Sequence, residues 1–282
     1  MKLTRLHFAG AAALAALLLG GCGAKNGSLA APGALVTLKF NFDKGEKHDY
    51  VTTIKTSQSG GSMPMDLTMS MASTVEITDK TDQGFKAKTT ISDVKVDAGK
   101  DAGIGALIAG AVKAVNGTSI EAAYDSTGKR TEVSTQTNNP SVKVMANSGG
   151  LDFGFMGLVC PGKPVSIGST WDTTVDVGKM MSTMGANISA KASSTLPVKL
   201  KLVGVEAGGG KQIAQIAVEV SGTIDFTSSG QPLSVEMNMK GDMHVDVDKG
   251  LVTDSDLKTE TTIKAAGNTM NQHTEVSSKL KS

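Results

Sequence analysis

The sequence predicts a mainly β protein built on a strongly curved antiparallel sheet, and three observations carry that prediction. Glycine is plentiful (33 of 282 residues) and aromatic residues make up only 4%. With abundant Thr, Ser and Val, that balance suits strands and turns rather than a helical bundle. Apolar and polar residues alternate with period two over unusually long runs. Asp-to-Gly turn signals punctuate those runs.

The elements follow in chain order. Gly45-Glu46-Lys47-His48-Asp49-Tyr50 opens a first strand. From Met63, one face collects Met63, Met65, Leu67, Met69, Met71, Ser73, Val75 and Ile77, against Pro64, Asp66, Thr68, Ser70, Ala72, Thr74, Glu76 and Thr78 on the other. Strands are predicted near 64–79 and 84–97, then over Ser119–Tyr124, the turn Asp125–Gly128 and a strand from Arg130. A second series opens at Gly168-Ser169-Thr170-Trp171-Asp172 and continues near 196–206, 212–226 and 233–247. The turn Asp248-Lys249-Gly250 then leads into a strand ending about 264. Runs of 13 to 15 residues at about 3.3 Å each span roughly 45 Å, and strands that long must twist and coil. A half-barrel or open barrel is the resulting expectation. Between Asp101 and Val115, Ile104, Leu107, Ile108, Ala111, Val112 and Val115 take helical spacing, with Asn116-Gly117 as a stop, so a helix is predicted near 101–116. A second short helix is expected within 141–158. The matching Gly-plus-aromatic openings and Asp-to-Gly turns make residues 35–160 and 161–282 two β halves related by duplication.

The 248–250 turn fixes a register. A three-residue loop closed by Gly250 pairs Val247 with Leu251, Val245 with Thr253 and Gly241 with Leu257, keeping apolar residues on one face. The other face then sets His244 across from Asp254.

The N-terminus carries an address. Lys2 and Arg5 precede an apolar run from Ala9 to Leu19, followed by Leu19-Gly20-Gly21-Cys22. A charged start, an apolar centre and small residues before a cleavage point make an export signal of residues 1–21, and the apolar run is too short to span a bilayer. The Leu-Gly-Gly-Cys segment resembles the lipobox of bacterial lipoprotein signals. That resemblance implies cleavage before Cys22, acylation of Cys22, and anchoring in a membrane through more than one acyl chain. Gly23 is not the Asp that retains enteric-type lipoproteins at the inner membrane, so the outer membrane is the expected location. Residues 22–34 read as the lipidated Cys and a flexible tether. Removing residues 1–21 takes Lys2 and Arg5 from 28 basic residues and nothing from 27 acidic ones, leaving a net charge near −1. No nucleic-acid partner is expected from that balance. With Cys22 acylated, Cys160 has no partner, and its setting Phe155-Met156-Gly157-Leu158-Val159-Cys160-Pro161 predicts a buried thiol.

Two constellations invite chemistry. Asp242, His244, Asp246, Asp254 and Asp256 lie on one face of the predicted hairpin, a donor set for a hard divalent cation or, alternatively, a solvated acidic face. Met65, Leu67, Met69, Met71, Met237, Met239 and Met243 form core-facing alternations, which read as core filler, as an adaptable groove for a lipid-like ligand, or, with Met180, Met181 and Met184, as thioethers for Cu(I). No Gly-x-Ser-x-Gly, His-Glu-x-x-His, phosphate loop or Cys-x-x-Cys occurs, and after signal cleavage the histidines are His48, His244 and His273. A non-enzymatic protein without a cofactor is therefore expected. Tyr50 and Trp171, at matching places in the two halves, are expected to anchor core.

Phe40–Thr56 (FNFDKGEKHDYVTTIKT), Tyr124–Lys129 (YDSTGK) and Pro161–Asp172 (PGKPVSIGSTWD) together resemble a family of secreted bacterial lipoproteins known only as a domain of unknown function. The resemblance covers about residues 35 to 280 and implies no catalytic residues. The predicted fold is also similar to half-barrel lipoprotein carriers of the periplasm, which shelter acyl chains in a curved sheet. The function expected is a lipid-anchored envelope protein that binds an apolar or lipid-like ligand. A structural or protein-interaction lipoprotein, or a divalent-metal protein, is the alternative. Oligomeric state stays open.

Overall fold

The computed structural model describes residues 28–29, 34–60, 65–99, 115–135, 158–176, 188–190, 195–208, 210–228, 231–265 and 268–281. The expected signal segment, Cys22, Met63, the Met180–Met184 trio, the second predicted helix up to residue 157, and all but the end of the first lie outside these residues. Val115 is helical and the chain turns at Asn116-Gly117.

The described strands in chain order are β1 (Ser28–Leu29), β2 (Leu35–Val36), β3 (Lys47–Gly60), β4 (Met65–Thr81), β5 (Gly84–Asp97), β6 (Ser119–Asp125) and β7 (Arg130–Thr135). They continue as β8 (Val165–Ser166), β9 (Thr170–Asp176), β10 (Ile188–Ala190), β11 (Thr195–Gly208), β12 (Lys211–Ser228), β13 (Gln231–Asp246), β14 (Leu251–Ala265) and β15 (Asn268–Leu280). One large sheet runs β1-β11-β12-β13-β14-β15-β3-β4-β5-β6-β7, with β9 also on β11, β10 on β12, and β2 and β8 paired apart from it. The protein is thus mainly β, with a large antiparallel sheet that stays open. β1 falls within the stretch expected as tether, where Ser28 and Leu29 pair with Ala207 and Glu206 of β11.

Chain neighbours are sheet neighbours along both long runs, so each hairpin places the next strand. The exception is the join: β15 pairs with β3, from Leu280↔Tyr50 to Met270↔Gly60. Leaving aside the short β10, the Asp125–Gly128 and Asp246–Gly250 turns each join the fourth and fifth strands of their run. In the first, Asp125 Oδ1 accepts from the Thr127 and Lys129 amides (2.9 and 3.0 Å). In the second the equivalent carboxylate is Asp246 rather than Asp248, accepting from the Asp248 and Lys249 amides (3.1 and 3.2 Å).

The predicted hairpin register holds in its body and shifts at its tip. Gly241 pairs with Leu257 and His244 with Asp254, but a β-bulge follows His244, and Val245 then pairs with Val252 and Asp246 with Leu251. The extra residue, Thr253, lets both Leu251 and Val252 be buried (5% and 1% exposed). The tip is consequently a four-residue loop over 247–250. One more buried apolar pair outweighs the lost ladder bond.

One end of the inner face is sealed. Along residues 36–42 the odd positions face away while Val36, Leu38 and Phe42 are buried and Phe40 packs against two core clusters. Val36 and Leu38 join Leu158, Cys160, Val165 and the inner residues of β11–β14. Phe42 meets Tyr50, Ile77 and Phe85, with Phe42–Phe85 edge-to-face at 5.3 Å and Phe85–Tyr124 stacked at 4.9 Å. Cys160 is buried as expected, and burial pushes its thiol up to about 12, so it stays protonated and inert. Tyr50 and Trp171 do anchor core. The Tyr50 hydroxyl donates to the Val252 carbonyl (2.9 Å) and the Trp171 indole N–H to that of Val159 (2.7 Å).

The sealed end also carries the contact between the first run and the β13–β14 loop. Lys249 Nζ lies 2.6 Å from Glu46 and 3.7 Å from Asp43, and Glu46 Oε2 is 3.4 Å from His48 Nε2, an ion-pair distance without hydrogen-bond alignment. Desolvation lowers the His48 pKa, more than the Glu46 carboxylate raises it. Glu46 is desolvated too, but hydrogen bonds from Lys249 and the Asp43 amide bring its pKa below the usual value. Both groups have folded values below their unfolded ones, so their stabilisation is complete above about pH 6.5 and fades as pH falls through the lowered values. Thermal melts should therefore show Tm dropping between pH 7 and 4. His48→Gln should flatten the upper part of that slope, and an unchanged slope would show that His48 does not titrate on folding.

Candidate binding face

The sheet divides charge between its faces. On β13, β14 and β15, on β3 from Tyr50, and on β4 as far as Ile77, every charged residue takes the outer alternation. Cross-strand rows define the inner face over the central strands. The row Gly241–Leu257–Val276–Ile54–Met69 is apolar. Beyond it come Met239–Thr259–Thr274–Thr56–Leu67 and Met237–Thr261–Gln272–Gln58–Met65. Ile263 and Met270 close the series. Ile54, Thr56, Gln58, Leu67, Met69, Met237, Met239, Thr259, Thr261, Ile263, Met270, Gln272, Thr274 and Val276 are half-buried, in contrast to the sealed end.

The predicted groove residues take the expected face but do not line one apolar channel. Met71 and Met243 are core, 2% and 1% exposed. Met237 and Met239 sit on β13, Leu67 and Met69 on β4, with Met65 in register opposite Gln58. Three strands separate the two sets, about 19 Å along the sheet at ~4.8 Å per spacing. A strip of Thr and Gln occupies the interval. The sequence pattern reports which face a residue takes, not which strands are neighbours. The insertion of β15 could not be read from it.

At the sealed side of this strip lies a row of buried hydroxyls. Ser255, Ser278 and Thr52 are cross-strand neighbours, each at most 2% exposed, and Thr52 and Ser278 hydrogen bond at 3.0 Å. Ser255 Oγ and the nearby Ser73 Oγ are buried without a hydrogen-bond partner.

The predicted metal set is distributed rather than convergent. His244 Nδ1 donates to Asp254 Oδ1 (2.7 Å), whose other oxygen accepts from Thr253 Oγ1 (3.2 Å). Asp246 is buried, 2% exposed, its carboxylate shared between the loop amides and Lys211 (3.1 Å). Asp242 and Asp256 oppose each other across the ladder. Among the described residues no three His, Cys, Asp or Glu side chains are arranged to hold a metal ion. The loop amides and Lys211 draw Asp246 away because a buried carboxylate needs donors at short range.

Sequence reasoning missed the outer face of β15. His273 lies between Glu260 (2.6 Å) and Glu275 (3.5 Å), and Lys258 reaches Glu275 at 3.1 Å. The Glu260 hydrogen bond raises the His273 pKa, and Lys258 lowers that of Glu275. Two depressions of about 320 and 360 Å³ flank this ladder, lined by Asp66 and Asp97 and by Asp256, Lys258 and Ser277 respectively, with Lys55 and Glu275 common to both. They are charged and shallow, and the exposed ion pairs explain them as a solvated ladder.

No family model matches the chain, and neither does any curated protein sequence.

Proposed function

We propose that this chain is a non-enzymatic binding module of the bacterial envelope, held at the membrane by acylated Cys22 and taking a lipid-like ligand on the inner face of its open sheet. The observation that carries this reading is the contrast along that face. One end is packed by residues 36–42 and 158–165; toward the other, Ile224, Phe226 and Val235 of β12 and β13 stay buried, while Leu67, Met69, Met237, Met239 and Ile263 are half-buried on a sheet that does not close. Methionine side chains conform to ligands of irregular shape, and curved sheets whose inner face stays accessible are common ligand sites. Trp171, Tyr50, Cys160, His48, His244 and His273 are all accounted for by packing or ion pairing, so none of them is left over for catalysis in this reading.

Native mass spectrometry of the full chain, extracted from its own envelope, tests the ligand. The expected spectrum carries an adduct in the mass range of a lipid, beyond the acyl chains on Cys22. A bare mass, together with failure to bind a fluorescent fatty acyl probe, would remove the binding reading. The anchor has its own test. Cys22→Ser should move the protein from the membrane to the soluble fraction with an unchanged Tm, whereas continued membrane residence would mean that Cys22 is not the anchor.

A further inference from the structure

We infer that the ligand of this face is an uncharged amphiphile whose neutral polar groups hydrogen bond to the Thr–Gln strip of β14, β15 and β3, with its acyl chains on the flanking Met and Leu residues. The inference rests on the binding reading above and adds the ligand's chemistry to it. Its first support is charge. No Lys, Arg, Asp or Glu of these central strands lies on the inner face, although the outer face of the same strands carries a dense ladder of them. A phosphate or carboxylate brought onto the inner face would be desolvated with no counter-charge, which strongly disfavours it.

The second support is unused hydrogen-bonding capacity. Across two successive rows the strip presents Thr259, Thr274 and Thr56, the last two hydrogen bonded to each other at 3.4 Å, then Thr261 and Gln272. Gln272 Nε2 donates to Thr274 Oγ1 at 3.1 Å, leaving its carbonyl oxygen without a partner among the described residues. Thr259 and Thr261 make no side-chain hydrogen bond there. One apolar row further in, Ser255 Oγ is buried on the same face with nothing to bond. A hydrocarbon ligand would leave Thr259, Thr261, the Gln272 carbonyl and Ser255 unmatched, and an amphiphile carrying both ester oxygens and hydroxyl groups would match them. The width of the strip, three strands or about 14 Å, suits a glycerol-sized head with chains diverging toward β13 and β4.

The test displaces an uncharged fluorescent probe, a fatty acyl methyl ester, from the full chain with dioleoylglycerol and, separately, dioleoyl phosphatidic acid, which share acyl chains and differ in charge. Dioleoylglycerol is expected to compete about tenfold better. Gln272→Leu should weaken that competition about fivefold relative to the acyl probe's own Kd measured on the same variant, because hydrogen bonds to the polar head are lost. Should Gln272→Leu fold poorly, Thr261→Val, nearly isosteric, reads the adjoining position with the same expectation. Equal or better competition by phosphatidic acid overturns the charge argument and leaves the binding reading standing. Unchanged or tighter dioleoylglycerol competition in the variants overturns the hydrogen-bonding role. If the acyl probe itself does not bind, the binding reading fails first and this inference with it.

Discussion

Gly250→Ala should unfold the protein or cost about 3 kcal/mol or more, the sum of two effects that coincide at this residue. Gly250 closes the β13–β14 loop with φ +67, a left-handed conformation that a side chain disfavours. Its amide donates to the Asp246 carbonyl at 2.7 Å, so the conformation is part of the turn and not free to relax. A Cβ there would also lie 2.8 Å from the Lys39 carbonyl carbon and 3.0 Å from Phe40 Cα, and nearer still to the Lys39 oxygen. Those are backbone atoms of the segment that seals the core, and they cannot rotate away. The turn glycine of the first run, Gly128, presses on the same segment through the Phe40 ring. The two turns thus clasp residues 39–40 from both runs, and damage at Gly250 should loosen both clusters that Phe40 joins. Denaturant titration checks this: a loss under 1 kcal/mol would mean the loop can retreat from residues 39–40.

The fold was legible where one strand face is apolar and opaque where it is not. β4, β12 and β13 declare themselves because Met, Val and Ile recur at every second position. β15 does not, since Gln272, Thr274 and Ser278 occupy its inner positions and hide the alternation. Yet β15 is the strand that joins the two runs, through a pairing between positions more than 200 residues apart in sequence. Neither composition nor periodicity specifies that pairing, because hydrogen-bonded neighbours are chosen by the whole sheet. The same gap explains the candidate site. The face of each Met was readable, but the Thr–Gln strip between them became visible only when β15 and β3 were placed side by side. Likewise the His244–Asp254 contact followed from the turn, whereas Asp246 left the predicted set because the bulge at Thr253 reshaped the loop it serves.

Gly241→Ala should be as damaging as Gly250→Ala for a different reason, which makes the pair informative. Gly241 lies mid-strand on the inner face of β13, opposite Leu257, and has no left-handed strain to invoke. The obstacle is proximity. A Cβ would stand 2.8 Å from Leu257 Cα and 2.9 Å from its Cδ2, and closer again to the Asp256 carbonyl oxygen. A glycine within a strand often marks such a close backbone approach, and here it sits in the row where the buried core of β11–β13 gives way to the Thr–Gln strip. Adding a methyl group would force β13 and β14 apart at the centre of the sheet, breaking ladder bonds on either side, at about 3 kcal/mol or more. Removing the Leu257 side chain should not relieve this, because the limiting contact is with backbone. The Gly241→Ala, Leu257→Ala double variant is therefore expected to be less stable than either single variant. Recovery of stability in the double variant would place the conflict in the Leu257 side chain instead, and would free the β13–β14 ladder from any role in setting the curvature of the inner face.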